Sequence, residues 1–213
     1  LVDTAPDLMR AHNHVMNKFG YPTKSTEEIR NLVGQGAGAM LGRSIWGQAK
    51  KEFGKVQDEK IKKEMVKDFV DFYGKNIVNE STLIKGVKNF LIWCKENKIS
   101  MAVCTNKQEH LAIDLLKKIG IYDFFEYVAG HNTFEYCKPD PRHLTSVVEI
   151  LGGDIKKTLM IGDSETDANA AKNAGIPVIL LEDGYTEKNT SEIYHNHLVK
   201  DFIGIEKIVL KYL

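Results

Sequence analysis

The chain has 213 residues, enough for one large domain or two small ones. Its 29 basic and 29 acidic residues balance, which argues against nucleic-acid or membrane-surface binding, because both need a basic field. No segment approaches the ~18 apolar residues of a membrane span, and residues 1–8 lack the regions of a signal peptide. Three cysteines without a Cys-x-x-Cys motif indicate free thiols. We therefore expect a soluble, cytoplasmic protein.

The first eighty residues show a helical pattern. Pro6 suits a helix N-terminus, and the apolar residues that follow at helical spacing share one face until Gly20 ends the helix. The segment Ser25-Thr26-Glu27-Glu28 has the form of a capping box and begins a second helix. Further helices are expected over about residues 37–48 and 57–74. No strand is predicted before about residue 100.

The second half alternates between strands and helices. Strands are predicted over residues 99–104, 125–129, 158–161, 178–181 and 197–199. Helices are predicted over residues 107–118, 141–151, 164–174 and 202–212. Strands that alternate with helices of this length indicate a parallel sheet covered on both faces. The chain is therefore expected to be an α/β protein with a helical insertion ahead of most of its core.

Two carboxylates follow a buried strand in the second half. An apolar run stops at Gly162, and Asp163 and Asp167 come next, at the start of a helical pattern. In open α/β sheets the carboxyl ends of strands are where ligands bind. Paired carboxylates there suit Mg²⁺, which prefers oxygen ligands and often shares a phosphate. The alternative is that both are helix caps, since acidic residues favour the first turn.

A hydroxyl and a cation are predicted at the same edge of the sheet. Thr105 directly follows the strand predicted over residues 99–104, and Lys138 precedes a helix start that is flanked by prolines. Together with a metal, these groups can hold a phosphoryl group by its oxygens. The alternatives are a β-branched strand end for Thr105 and a solvated surface charge for Lys138.

Three segments carry a family resemblance. Residues 101–106, 137–141 and 162–167 resemble motifs two, three and four of the haloacid dehalogenase superfamily of phosphatases, in this order and spacing. The nearer match is the phosphoglycolate phosphatase group, and it extends over nearly the whole chain. Residues that also resemble this group are 1–8, 19–21, 33–37, 102–107 and 175–184.

The resemblance implies a fold and a domain organisation. The fold is a Rossmann-like parallel-sheet core with an inserted, all-helical cap domain. The core would comprise residues 1–7 and 81–213, and the cap residues 8–80. Cap closure over the substrate would exclude water.

The resemblance also implies roles for the motif residues. Thr105 would hydrogen-bond the transferring phosphoryl group, with the Asn106 backbone beside it as part of the substrate site. Lys138 would pair with the phosphoryl oxygens. Asp163 would ligate Mg²⁺, and Asp167 would either orient Lys138 or complete the metal's shell.

The superfamily's first motif, Asp-x-Asp-Gly-Thr, does not occur in the 213 residues. Its first Asp is the nucleophile that forms an aspartyl-phosphate, and its second acts as general acid and base. By family spacing both would lie a few positions before Leu1, and the chain of residues 1–213 by itself is predicted to be inactive. The strand bearing them would lie between the strands that end at Thr105 and Asp163. Three arrangements are open: additional N-terminal residues, direct pairing of the two flanking strands, or a borrowed strand.

Two positions in the helical segment are candidate substrate contacts. Gly36 lies in Gly34-Gln35-Gly36-Ala37-Gly38-Ala39, which also fits a dinucleotide-binding pattern, but that pattern requires a preceding strand and a helix is predicted there. A tight turn that opens a helix facing the active site is the preferred interpretation. Arg43 could meet a substrate carboxylate, although a surface salt bridge is the simpler role.

These observations lead to an expected function. The full-length protein would be a Mg²⁺-dependent phosphomonoester hydrolase acting on 2-phosphoglycolate, a small-molecule phosphate ester, as a monomer or homodimer and without nucleic-acid or membrane partners. The alternatives are hydrolysis of another phosphate ester or pyrophosphate, phosphomutase activity, and a catalytically inactive variant that binds metabolites or a partner.

Overall fold

The computed structural model describes residues 1–34, 36–46, 59–186 and 188–212. This part of the chain divides into two compact units. One unit comprises Val2–Thr82, and the other comprises Leu1 together with Leu83–Leu213. Within the described ranges, no helix is both long enough and apolar enough to cross a membrane.

The unit Val2–Thr82 is mainly helical. Its described helices are α1 (Ala5–Phe19), α2 (Thr26–Arg30), α3 (Ala37–Trp46) and α4 (Glu59–Lys75). Positions 47 and 48 of the predicted helix 37–48 lie outside the described residues. The same holds for positions 57 and 58 of the predicted helix 57–74.

Helix α1 illustrates how the local sequence shapes this unit. Pro6 lies in its first turn, and Gly20 ends it in the left-handed conformation (φ 74°) that glycine adopts without steric cost. Ala11 and Val15 are fully buried. The predicted capping box at α2 is confirmed, because the Ser25 side chain accepts from the Glu28 amide and the Glu28 side chain accepts from the Ser25 amide. No strand precedes Gly34-x-Gly36 in residues 26–33, so the dinucleotide-binding context is missing.

Two short strands correct the prediction that none precedes residue 100. They are β1 (Val2–Asp3) and β2 (Thr82–Leu83). A two-residue strand is too short for alternation of apolar and polar residues to appear in the sequence, and its pairing partner is remote along the chain. Whether such short strands form therefore depends on tertiary contacts.

The unit of Leu1 and Leu83–Leu213 alternates strands and helices. Its strands after β2 are β3 (Ala102–Cys104), β4 (Tyr127–Ala129), β5 (Met160–Gly162), β6 (Val178–Leu181) and β7 (His197–Val199). Its helices are α5 (Val87–Glu96), α6 (Glu109–Lys118), α7 (Arg142–Ile150), α8 (Glu165–Ala174) and α9 (Glu206–Val209). The predicted α/β class with parallel strands is confirmed.

Two helices differ from prediction. Helix α5 is not among the predicted elements, although Val87, Phe90, Leu91 and Cys94 have helical spacing and are buried. The helix expected over residues 202–212 is reduced to α9, because Phe202 donates its amide to Lys85 and Gly204 has a φ of 76°. A glycine in that conformation interrupts a right-handed helix.

The strands from β3 to β7 form two separate parallel sheets. β3 pairs with β4, with Cys104 opposite Ala129. β5, β6 and β7 form a three-stranded sheet in which Gly162 lies opposite Leu180. No ladder among the described strands joins β3 to β5. Direct pairing of the two flanking strands, one of the arrangements considered from sequence, is therefore not found.

A small apolar cluster holds together the elements that end near the motif residues. It is centred on Leu144 of α7, Ala170 and Ala171 of α8, and Val178 of β6. Cys104 of β3 and Met160 of β5 pack against it. Burying these side chains packs β3, β5, β6, α7 and α8 against one another.

Candidate active site

The turn from β5 into α8 carries both predicted carboxylates. Ser164 caps α8: its hydroxyl accepts from the Asp167 amide at 3.2 Å and donates to Asp167 Oδ2 at 2.8 Å. Asp167 Oδ2 also accepts from the Asp163 amide at 3.0 Å. A Cβ on Gly162 would lie 2.4 Å from Asp167 Cβ. Glycine at position 162 therefore lets the Asp167 carboxylate fold back against the end of β5.

Lys138 is buried and held by two acceptors. Its Nζ donates to Asp167 Oδ1 at 2.5 Å and to the Cys104 carbonyl at 2.5 Å. The side chains of Lys138 and Asp167 are each 7% exposed, so the alternative of a solvated surface lysine is wrong. The Lys138–Pro139 peptide bond is cis. Because β3, the loop before α7 and the start of α8 each contribute one group, Lys138 joins three parts of the site.

The two charges stabilise each other. Burial by itself would lower the pKa of Lys138, but the charge of Asp167 outweighs it, so the pKa is raised. Burial acts to raise the pKa of Asp167, and the Lys138 charge outweighs that effect and lowers the pKa. Both groups therefore remain ionised across the neutral pH range.

Asp163 has different electrostatics. Burial and, next, the negative charge of Asp167 raise the pKa of Asp163 to about 6. Its side chain is only half-buried. A carboxylate that is desolvated beside a like charge is one that a bound cation would stabilise in its ionised form.

The carboxylates of Asp163 and Asp167 are the oxygen donors that this site offers to Mg²⁺. No cluster of three His, Cys, Asp or Glu side chains that could hold a metal ion occurs in the described ranges. Mg²⁺ commonly uses only one or two carboxylates and completes its shell with water and substrate phosphate. Asp163 fits such a site. Both oxygens of Asp167 already accept hydrogen bonds, which favours the orienting role for that residue over ligation.

Thr105 and Asn106 follow β3 directly. The Thr105 amide donates to the Ala129 carbonyl at 2.8 Å, which extends the β3–β4 pairing. The Thr105 hydroxyl accepts from the Lys107 amide at 3.1 Å. The Asn106 side chain donates through Nδ2 to the Lys138 carbonyl at 2.9 Å. The family resemblance implied a backbone role for Asn106, and this side-chain contact was not predicted.

Gly36 and Arg43 lie in the unit Val2–Thr82, whereas the other predicted site residues lie in the other unit. Gly36 has a φ of 87° and precedes α3, consistent with the tight turn expected there. The Arg43 Nη2 donates to the Leu32 carbonyl. That bond joins the last turn of α3 to the segment that follows α2.

Sequence analysis missed three contributors to the site. Ser164 caps α8 and fits the Ser-x-x-Asp form of a capping box, so a local signal was present. The Cys104 carbonyl gave no signal, because any residue offers a carbonyl. Gly184 approaches so closely that an added Cβ would lie 1.7 Å from the Asp163 carbonyl oxygen; it belongs to the segment 175–184 that carries the family resemblance, but nothing in the sequence indicated this contact.

Comparisons with known proteins identify the family of this chain. The family model described as haloacid dehalogenase-like hydrolase matches residues 1–181. The phosphoglycolate phosphatase of Caulobacter vibrioides is 35% identical over 213 residues, which cover 100% of this chain and 88% of the relative. That of Mesorhizobium japonicum is 34% identical over 202 residues, covering 95% of this chain and 87% of the relative.

A solved structure shows the same architecture. The crystal structure of a predicted phosphoglycolate phosphatase from Haemophilus somnus superimposes with a TM-score of 0.88 and 29% sequence identity. The match covers 98% of this chain and 92% of that one.

Proposed function

This chain belongs to the haloacid dehalogenase-like hydrolase family, and from that premise we propose that the full-length protein is a Mg²⁺-dependent phosphatase of 2-phosphoglycolate. The observation that carries the proposal is the buried Lys138 ammonium between Asp167 and the Cys104 carbonyl. An ammonium held by two acceptors has one proton left to donate. A phosphoryl oxygen is a suitable acceptor for it.

Four residues of the chain would bind the phosphoryl group or the metal, or position a group that does. The Lys138 ammonium pairs with the phosphoryl oxygens, whose charge is spread over several atoms in the transition state. The Thr105 hydroxyl donates to another of these oxygens. Asp167 keeps Lys138 oriented, and Asp163 holds Mg²⁺. When bound, Mg²⁺ supplies positive charge that neutralises the phosphoryl group.

The covalent step rests on the family's first motif. Its first Asp carboxylate attacks phosphorus and the ester oxygen leaves, taking a proton from the second Asp. Water then cleaves the aspartyl-phosphate to release phosphate. Neither role is proposed for a residue within 1–213.

The substrate assignment is supported by the relatives. The curated relatives named above are called phosphoglycolate phosphatases. 2-Phosphoglycolate carries a carboxylate as well as a phosphate, and the candidate for meeting that carboxylate is Arg43 of the helical unit. That unit is proposed to act as the cap over the substrate.

A substrate panel with matched variants tests the proposal. The full-length protein is assayed with 2-phosphoglycolate, pyrophosphate, sugar phosphates and nucleotides, with and without Mg²⁺. Asp163→Ala is expected to abolish Mg²⁺-dependent turnover. Asp114→Ala, which changes an exposed carboxylate on α6, is expected to retain it. Unchanged turnover in Asp163→Ala would contradict the metal assignment, and preference for another ester would contradict the substrate.

A further inference from the structure

The loops after β3 and β4 are tied to each other by hydrogen bonds between their residues. The His131 amide donates to the Lys107 carbonyl at 2.8 Å. The Glu109 amide donates to Asn132 Oδ1 at 2.9 Å, and the Thr133 hydroxyl donates to the Glu109 carboxylate. These contacts join residues 107–109, which lead from β3 into α6, to residues 131–133 of the loop after β4. We call this set of hydrogen bonds the clasp.

The clasp depends on a close backbone approach. A Cβ on Gly130 would lie 2.3 Å from the Glu109 amide nitrogen, so a residue with a side chain would force the two loops apart. The Gly130 amide donates to Thr133 Oγ1 at 2.8 Å. The Gly130 carbonyl lies 3.2 Å from His143 Nε2 of α7. Gly130, the first residue of the loop after β4, is therefore held between the start of α6 and α7.

Lys138, which lies near the end of that loop, is held by Asn106. The Nδ2 of Asn106 donates to the Lys138 carbonyl at 2.9 Å. At the other end of Lys138, Nζ donates to the Cys104 carbonyl. Residues on either side of Thr105 thus hold the main chain and the ammonium of one lysine. A carbonyl can only accept, so the hydrogen bond requires a donor at position 106.

We propose that Asn106 is a positioning residue that sets where the Lys138 ammonium lies relative to the Thr105 hydroxyl. The inference rests on the proposed function, in which both groups contact one phosphoryl group. Asn106 is adjacent to Thr105 in the chain and bonds the backbone of Lys138, so it couples the two positions directly. A displacement of roughly 1 Å in such an arrangement can cost on the order of 100-fold in rate.

The first test observes Lys138 without any turnover. Lysine side-chain NMR signals are recorded from the full-length protein, and the Lys138 signal is assigned by its loss in Lys138→Arg. We expect this signal to move in Asn106→Ala and in Asn106→Asp. It should stay in place in Asn132→Asp, which keeps the acceptor oxygen that Glu109 uses. An unmoved signal in Asn106→Ala overturns the proposal even if no phosphate ester is hydrolysed by the wild type.

The second test separates positioning from a merely structural role. In the full-length protein, Asn106→Ala and Asn106→Asp are expected to lower kcat about tenfold or more, whereas KM changes by less than about threefold, because the contact matters chiefly in the transition state. Thermal melting should remain close to that of the wild type. A loss in Asp alone would point to charge repulsion, and a loss that tracks melting would point to misfolding; either result overturns the proposal.

Discussion

The Lys138 ammonium lies 2.5 Å from Asp167 Oδ1, and the two side chains are equally buried. The second oxygen of the same carboxylate accepts from the Asp163 amide and from the Ser164 hydroxyl. One carboxylate therefore connects the lysine before α7 to the N-terminus of α8. Since these residues are far apart in the chain, the ion pair joins the loop before α7 to the first turn of α8. It also holds the cation that is proposed to bind the phosphoryl group.

Asp167→Asn is expected to destabilise the protein strongly. The substitution leaves the Lys138 ammonium buried without a compensating charge, and breaking a buried pair in this way costs about 3–5 kcal/mol. The free energy of unfolding from urea titrations checks this. Combining it with Lys138→Met should recover part of the loss, because no unpaired charge then remains. The control is Asp71→Asn, which breaks the exposed Lys67–Asp71 pair and should change stability little. Similar losses in the two single variants would show that burial of the pair is not what matters.

Gly184→Ala is expected to weaken Mg²⁺ binding. The added Cβ would lie 1.7 Å from the Asp163 carbonyl oxygen, so the loop or Asp163 must move. Displacing a residue that supports a ligand reduces metal affinity by about tenfold or more. Calorimetric titration with Mg²⁺ provides the measurement. Gly38→Ala is the matched control, since its Cβ would make an ordinary 3.7 Å contact with Val66. Equal Mg²⁺ affinity in all three proteins would be inconsistent with the assignment of Asp163.

Asp7→Asn is expected to destabilise the helical unit. Asp7 is 1% exposed, and its Oδ2 accepts from the amides of Asn79, Glu80 and Ser81 and from the Ser81 hydroxyl. The other oxygen, Oδ1, accepts from the Glu80 amide at 3.2 Å. An amide has only one oxygen, so in the variant its amino group would take the place of Oδ1 and face the Glu80 amide, donor against donor, at a cost of about 1–3 kcal/mol. Urea denaturation measures the loss, and exposed Asp114→Asn serves as the control.

The same contacts predict how the Asp7 contribution depends on pH. Burial acts to raise the pKa of Asp7, but hydrogen bonds, first from Ser81, outweigh it and lower the pKa below its ordinary 3.8. The stabilisation is therefore complete above pH 3.8 and is lost as the pH falls through the lower folded-state pKa. The stability difference between wild type and Asp7→Asn should shrink in that range. A constant difference would mean that ionisation of Asp7 plays no part.

His143 is expected to make stability pH-dependent in a higher range. Burial, and next the charge of Lys138, lower the pKa of His143 to about 4 from an ordinary 6.5. The unfolded chain takes up this proton near pH 6.5 and the folded protein only near pH 4, so stability falls as the pH drops from 6.5 towards 4. His143→Gln, which retains a donor for the Gly130 carbonyl, should flatten this part of the stability profile. Exposed His131→Gln should leave the profile unchanged, and an identical profile for His143→Gln would refute the assignment.

Local features of the fold were predictable because their causes lie within a few residues. The capping box at Ser25 and Glu28 and the strand Val178–Leu181 were predicted with their observed positions. Each depends on a short pattern: a hydroxyl three residues before a carboxylate, or a continuous apolar run. Helix α5 carried the same kind of signal in its buried positions and was therefore within reach of the same reasoning.

The sequence by itself determined which chemical groups follow which strands: Thr105 after β3, Lys138 ahead of α7, and Asp163 with Asp167 after β5. Only the tertiary structure decided how they are paired. In the tertiary structure the Lys138 ammonium donates to Asp167 and to the Cys104 carbonyl. The Asn106 side-chain amide donates to the Lys138 backbone, and Gly184 packs against Asp163. The physical reason is that residue type and spacing limit what a segment can form, whereas the partner of a buried polar group is selected by the packing of segments remote in the chain.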